Sequence, residues 1–341
     1  MLRPYRIDAG VLRPQRMNGR VRRPYVHLVF VFIAVACSPS TGDGEAPPSA
    51  SPTPAPPTVN VSPTPQASVV FLSQPDDPLE APLREWAAGR GLALRTLPLE
   101  ELEGSWLSDS GVQAAIGYER DGFPPAQALE SPWPVLVLEA DGILAGGRVH
   151  TVGTPGERRD QAAFLVGALA GLATRSGWVG LIDSTEGGHA EVDEAGYRAG
   201  VRYGCPRCII LRWTPDEITP DALRANAIGV LFALPGPGAE AGLERAEGVD
   251  LWVAWMESPP VSVPVERMVG GVRFDLYGPL VRALEAALAG ADGTVWPYAA
   301  ENDGLALVDP NPEALTPGRA RLWEEAWAGL RDGTLAIDLE P

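Results

Sequence analysis

From residue 68 onward, short runs rich in β-branched and aliphatic residues alternate with stretches of helical periodicity. Such an alternation predicts parallel sheets whose strands are joined by crossover helices. A first series extends to residue 152, and a second series of similar length follows a long apolar-rich helix over 161–175. The sequence therefore predicts an α/β protein of two lobes joined by a hinge, each with a parallel sheet flanked by helices.

The predicted elements of both series are short and well separated in the chain. The strands are expected at 69–72, 92–97, 112–116, 135–138, 148–152, 178–183, 208–213, 228–233, 251–255, 269–272 and 335–339. The helices are expected at 79–90, 161–175, 192–203, 220–225, 238–246, 276–289 and 317–329.

These elements divide the folded part into three predicted segments. Residues 68–153 form lobe 1, residues 154–272 form lobe 2, and residues 273–341 return to complete both lobes. Ligands of open α/β sheets bind beyond the carboxyl ends of the strands. Two such sheets facing each other predict a cleft that captures a small polar solute by hinge closure, without chemistry on it.

The sequence pattern of the amino-terminal segment indicates an export signal. Residues 28–36 are nine consecutive apolar residues, and a helix of that length rises only about 14 Å, less than half of the roughly 30 Å hydrocarbon core. Residues 1–36 are therefore predicted to be a signal peptide. Small residues precede Cys37 as in a bacterial lipobox, which predicts a lipid on Cys37 and attachment to the extracytoplasmic face of the cell membrane. A signal peptide followed by a bystander cysteine is the alternative.

Residues 37–67 are predicted to be a tether. Between 38 and 67 the chain has nine prolines and nine serines or threonines, with no hydrophobic period. Such a composition favours extended polyproline II over a packed core.

Charge excludes one class of partner. The formal net charge is -17 and the chain contains no lysine, so all 27 basic residues are arginines. Nucleic-acid binding requires clustered positive charge and is not expected.

Catalytic and metal motifs are not found in the sequence. His150 and His189 are not spaced as metal ligands with other donors, and no nucleophile elbow or phosphate-binding loop occurs. We therefore expect no enzyme activity, no metal and no cofactor. Cys205 and Cys208 form a Cys-x-x-Cys motif whose first cysteine follows a helix instead of beginning one. This order favours a structural disulfide, and free thiols or a thiol-disulfide oxidoreductase are the alternatives.

Three stretches resemble one family of binding proteins. The stretches 161–170, 177–182 and 194–201 (QAAFLVGALA, GWVGLI and EAGYRAGV) resemble the basic membrane protein family of ABC-transporter substrate-binding lipoproteins. The resemblance extends weakly over 69–339. It implies a type I periplasmic-binding-protein fold, purine-nucleoside binding and an ABC permease as membrane partner.

The resemblance also implies positions for the ligand site. Asp76 and Asp77 match the acids of the family motif after the first strand, and are alternatively helix caps. Asp193 stands where the family has a stacking aromatic residue. Trp255 and Glu257 occupy the strand end where the family has an aspartate.

Three further candidates complete the predicted site. Arg273 corresponds to a family lysine. Asp183 and Glu186 follow the first strand of lobe 2 and are expected either to line the cleft or to form a solvated turn. Both positions of the family's base-stacking aromatics are polar in this chain, so a diverged surface sensor without a transport role is a further alternative.

Overall fold

The computed structural model describes residues 66–141, 143, 145–153, 158–183, 189–308 and 310–337. All of them belong to one compact unit that spans 61–341. The predictions for the signal peptide, for Cys37, for tether residues 37–65 and for Glu186 lie outside the described residues.

The described chain forms strands and helices in regular alternation. The strands are β1 (Ser68–Leu72), β2 (Ala93–Leu97), β3 (Val112–Tyr118), β4 (Val135–Leu138), β5 (Val149–Val152), β6 (Trp178–Ile182), β7 (Ile209–Trp213), β8 (Val230–Ala233), β9 (Trp252–Met256), β10 (Met268–Phe274), β11 (Val295–Trp296) and β12 (Leu305–Val308). The α-helices are α1 (Glu80–Gly89), α2 (Ala126–Leu129), α3 (Arg159–Ala173), α4 (Ala190–Gly204), α5 (Pro220–Ala225), α6 (Ala239–Arg245), α7 (Tyr277–Leu288) and α8 (Pro317–Arg331).

Two six-stranded sheets share one topology. The order is β2-β1-β3-β4-β5-β11 in sheet A and β7-β6-β8-β9-β10-β12 in sheet B. All pairs are parallel except β10 with β12, which is antiparallel. In this doubly wound order the chain reverses direction beside the first strand of each series. The ligand crevice of such a sheet lies at that switch point, at the carboxyl ends of the strands.

The core of sheet B is built around α3, whose residues are buried except at its first turn. Glycines allow α4 to pack with its backbone directly on that of α3. A Cβ atom added at Gly200 would lie 1.9 Å from the carbonyl oxygen of Phe164, and one at Gly167 would lie 2.1 Å from that of Tyr197. Gly196 and Gly204 lie one turn away on either side, and a Cβ atom at each would lie 2.5 Å from a backbone oxygen of α3.

Three chain segments connect the two sheets, and they meet at Gly153. The first leaves β5, the second leads from β10 to α7, and the third leads from β11 to β12. Gly153 has a φ of +67°, and a Cβ atom there would lie 2.5 Å from the side chain of Leu276 and 2.8 Å from that of Tyr298. The three crossovers therefore pack against one another and form the hinge.

Two expectations about the last part of the chain were wrong. Residues 335–337 are not a strand, although Leu335 and Ile337 pack against the core of sheet B as irregular chain. Strands β11 and β12 lie between 289 and 317, where the sequence predicted neither a strand nor a helix. They are short edge strands, and their pairing depends on the finished sheets instead of on a local pattern.

No helix within the described ranges combines the length and the apolar character that a membrane crossing requires.

Candidate functional site

Three acidic residues at strand ends have left-handed backbone conformations. Asp76, Glu139 and Glu257 have φ values of 62°, 51° and 71°. Glu139 directly follows β4, Glu257 directly follows β9, and Asp76 lies in the turn after β1. This conformation costs a non-glycine residue roughly 1–2 kcal/mol and is concentrated at functional sites. The carboxyl ends of both sheets thus carry strained acidic residues.

The lobe 1 side of the site combines Asp77 with Tyr118. The Asp77 carboxylate accepts a hydrogen bond from the backbone N–H of Leu79 (2.9 Å) and lies 3.5 Å from the Tyr118 hydroxyl. Asp77 is therefore a turn-forming residue before α1 as well as a carboxylate beside the Tyr118 hydroxyl. Burial, followed by the charges of Asp77 and Glu139, raises the pKa of Tyr118 well above its ordinary value. Its hydroxyl consequently stays a hydrogen-bond donor at neutral pH.

A carboxylate and an arginine complete this side. The Glu139 carboxylate is 2.9 Å from the Arg120 guanidinium and 3.4 Å from the Tyr298 hydroxyl. The same guanidinium lies 4.2 Å from the centre of the Tyr118 ring.

Two aromatic rings line the crossovers. Phe274 ends β10, and Tyr298 follows β11. Their rings are stacked, with centroids 5.0 Å apart and planes at 20°. Because one residue belongs to sheet B and the other follows a strand of sheet A, the pair forms an apolar wall at the hinge.

The lobe 2 side is organised by Arg159, the first residue of α3. Its guanidinium makes two-pronged contacts with the Asp193 carboxylate at 2.8 to 3.2 Å and a salt bridge of 2.5 Å with Glu257. It also lies 5.5 Å from the centre of the Phe274 ring. Asp193 is only 2% exposed, so its carboxylate lies behind Arg159 and positions it. Glu257 is partly exposed at the cleft.

A second carboxylate–arginine group lies beside the first strand of lobe 2. Asp183 directly follows β6 and is buried, and Arg212 of β7 donates to its carboxylate at 3.1 Å. Arg212 also lies 3.1 Å from Glu194.

Comparison with known proteins identifies the fold. No protein-family model matches the chain, and neither does any curated protein. Several solved structures match the chain. An ABC transporter solute-binding protein from Conexibacter woesei DSM 14684 superimposes with a TM-score of 0.55 at 16% identity, over 80% of this chain and 99% of that one. A transcriptional activator of the comK gene from Bacillus halodurans superimposes with a TM-score of 0.52 at 10% identity, over 80% and 99% of the two chains.

The chain has the type I periplasmic-binding-protein fold. At these identities the likeness concerns the fold alone, and the two neighbours carry different functional names. Function therefore has to be argued from the cleft.

Two predicted ligand residues lie away from the Arg159 group. Trp255 is buried, and its ring packs over Gly271, where a Cβ atom would be 2.3 Å from it. Trp255 and Glu257 share a hollow of about 190 Å³ at the ends of β8 and β9. Arg273 is exposed and precedes Phe274, so strand alternation directs the two side chains to opposite faces.

Cys205 and Cys208 are joined by a disulfide bond with Cα atoms 5.4 Å apart. Cys205 directly follows the last residue of α4, and its N–H donates to the carbonyl of Val201. The positive end of a helix dipole, which lowers thiol pKa values in redox enzymes, is therefore not at this motif.

No group of His, Cys, Asp and Glu in the described ranges has the arrangement of a metal site.

Sequence reasoning did not identify several residues of the cleft. Glu139 carried a usable signal, because a charged residue directly follows the apolar run of β4. The other unpredicted residues carried none, because the carboxylates or rings that they contact across the site lie at least 19 residues away in the chain. They are Tyr118, Arg120, Arg159, Phe274 and Tyr298.

Proposed function

We propose that this protein is an extracytoplasmic solute-binding protein of an ABC importer, related to the basic membrane protein family. The observation that carries the proposal is the repeated sheet topology, which provides polar strand ends on two lobes, with three crossovers packed together at Gly153. A fold of this kind binds a solute between its lobes and closes over it by hinge rotation. The protein binds the solute and does not change it chemically.

The proposed ligand contacts come from both lobes. Lobe 1 contributes Asp76, Asp77 and Glu139, and the crossovers contribute the rings of Phe274 and Tyr298. Lobe 2 contributes Asp183, Trp255 and Glu257, with Arg159 and Asp193 as positioning residues. Glu186 remains a proposed contact because of its position after the first strand of lobe 2, and Arg273 because of the resemblance. A few polar groups and an aromatic wall are the usual content of a small-molecule site, and closure removes the ligand from water.

The family resemblance makes purine nucleosides the first ligands to test. The purified chain should be screened by thermal shift and tryptophan fluorescence against nucleosides, bases, sugars and amino acids. A ligand that binds should raise the melting temperature saturably and lower the radius of gyration in small-angle X-ray scattering. Glu257→Gln should weaken binding, and Glu325→Gln on the outer surface of α8 should not. A screen without a saturable response would refute solute binding.

Membrane attachment through a lipid on Cys37 is the second part of the proposal. The wild-type chain expressed in a lipoprotein-processing bacterium should partition into the detergent phase of Triton X-114, and Cys37→Ser should partition into the aqueous phase. Equal partitioning of the two chains would exclude the lipid anchor.

A further inference from the structure

Negative charge exceeds positive charge at the cleft and the crossovers. Four arginines in this region engage seven carboxylates, and one of these carboxylates, Glu194, also pairs with Arg198. Asp76, Asp77 and Asp275 add to this excess, and the chain has no lysine. An anionic solute would meet net repulsion, because the carboxylates outnumber the arginines even when the exposed Arg273 is counted. The arginines are Arg120, Arg158, Arg159 and Arg212, and the carboxylates are Glu139, Asp160, Asp183, Asp193, Glu194, Glu257 and Glu301.

One of these arginines occupies a subsite that is suited to a cation. The guanidinium of Arg120 lies over the Tyr118 ring at 4.2 Å and beside the Glu139 carboxylate at 2.9 Å. An aromatic face together with a carboxylate is a recognised arrangement for ammonium and guanidinium groups. The Arg120 side chain is 61% exposed, and exposed ion pairs contribute little stability. Arg120 can therefore leave the subsite at small cost.

A buried hydroxyl without a partner lies at the same end of sheet A. Ser73 directly follows β1, is 2% exposed, and its Oγ has no hydrogen-bond partner among the described residues. The pairing of β1 with β3 places Leu72 opposite Gly117. Continuing this register by one residue places Ser73 opposite Tyr118, which puts both side chains on one face of the sheet. Buried polar groups are normally satisfied, so Ser73 provides a hydrogen-bonding group for a ligand at this subsite.

The electrostatics of Tyr298 agree with these contacts. Burial first, and then the carboxylates of Glu139 and Asp275, raise the pKa of its hydroxyl above the ordinary value. The negative potential around Glu139 therefore extends from Tyr118 to the crossover ring.

We propose that the cleft selects solutes that carry an ammonium or guanidinium group, and that this group displaces Arg120 from between the Tyr118 ring and the Glu139 carboxylate. This inference rests on the proposed solute-binding function and adds the charge of the ligand to it.

Calorimetric titration of the purified full-length chain with two matched sets of solutes tests the inference. Putrescine, 1,4-butanediol and succinate share a four-carbon skeleton with cationic, neutral and anionic ends. Glucosamine, glucose and glucuronate do the same on a sugar ring. In at least one set, the cationic member should bind tenfold or more tightly than the other two.

Two variants test whether the cation is selected at the subsite formed by Tyr118 and Glu139. Arg120→Gln removes the competing guanidinium and should tighten binding of the cationic member several-fold. Glu139→Gln removes the carboxylate and should weaken it tenfold or more, while the neutral members change little. Arg224→Gln, in an exposed ion pair on α5, is the matched control and should leave all affinities unchanged. Circular dichroism melting establishes that each variant is folded, and if Glu139→Gln is not, Arg120→Gln alone decides.

The outcomes separate the two proposals. Equal or tighter binding of a neutral or anionic member, or weaker cation binding in Arg120→Gln, overturns charge selection and leaves solute binding intact. A saturable response to neutral solutes alone does the same. No response to either set or to the broader solute screen overturns both proposals.

Discussion

The α3–α4 pair differs from the rim of the cleft, by which we mean the acidic strand-end residues Asp76, Glu139 and Glu257 with their arginine partners. The two regions differ in what determines their structure. The pair contains the stretches that most resemble the basic membrane protein family, and its glycines bring two helix backbones into contact. The rim contains acidic residues with left-handed conformations, and its contacts join residues that are distant in the chain. The small residues of the resembling stretches thus determine how closely α3 and α4 pack. The fold that the resemblance implies is confirmed, and the ligand that it implies stays a prediction.

The largest effect should come from Arg159, where the two regions meet. Arg159→Leu leaves the buried Asp193 carboxylate without its partner, and breaking a buried pair in this way costs about 4 kcal/mol of unfolding free energy. Urea unfolding followed by circular dichroism measures this loss.

Two further variants test the cause. Arg321→Leu, in an exposed pair on α8, should change the unfolding free energy by less than about 0.5 kcal/mol. Arg159→Leu combined with Asp193→Leu should recover a large part of the loss, because no buried charge then remains alone. A loss below about 1 kcal/mol in Arg159→Leu would show that the rim does not depend on this contact.

The second largest loss of unfolding free energy should come from a substitution in the α3–α4 pair alone. In Gly200→Ala, the added Cβ would meet backbone atoms of α3 at 1.9 Å and 2.7 Å, so the helices must separate. We expect a loss of about 3 kcal/mol in unfolding free energy.

Gly318 provides the matched control. It lies in α8 with nothing within 4 Å of an added Cβ, so Gly318→Ala should gain about 0.5 kcal/mol from helix propensity. Similar effects of the two substitutions would refute backbone contact as the role of Gly200.

The pH dependence of stability near neutrality should arise from the burial of His150. This fully buried side chain accepts hydrogen bonds from the indole N–H of Trp296 (3.3 Å) and the N–H of Thr294 (3.4 Å). Burial lowers its pKa in the folded protein, so the unfolded chain takes up a proton first as the pH falls. Stability should be full above the unfolded pKa of about 6.5 and decrease by about 1 kcal/mol between pH 7 and pH 5.5.

His150→Gln keeps a side-chain acceptor and removes the titration. Its unfolding free energy should be flat over the same pH range, whereas His189→Gln should retain the wild-type slope. A slope that persists in His150→Gln would assign the pH dependence to another group.

The smallest effect should come from the rim. Asp76→Gly removes left-handed strain and adds chain entropy to the unfolded state, for a net gain of about 0.5 kcal/mol. Differential scanning calorimetry should show a melting temperature about 1 °C higher. Asp292→Gly, at an exposed position without a positive φ, should lower it instead. A decrease in both variants would mean that Asp76 is not strained.

Local pattern was sufficient for most of the fold. The bounds of β4 and α5 match the prediction residue for residue, and the other central strands differ by a few residues at most. Central strands are predictable because they are continuous apolar runs, buried on both faces. The edge strand β11 has only two residues and no such run. The predicted strand at 335–339 had the right side chains for burial and no neighbouring strand to pair with over 335–337.

The site was less predictable because its contacts are distant in sequence. Asp193 stood out through the resemblance, but its partner Arg159 lies 34 residues earlier. Strand ends could be located, which placed Asp77, Asp183 and Glu257 at the correct edge of their sheets. Which of them pair with an arginine depends on the assembled lobes.

The contact of all three crossovers at Gly153 has a mechanical consequence. Two bodies joined by one thread can tumble freely, whereas three short links gathered in one place restrict them to a narrow set of rotations. The third link also leaves β1 in sheet A and α8 against the core of sheet B. A force on β1 therefore reaches α8 only through these three links.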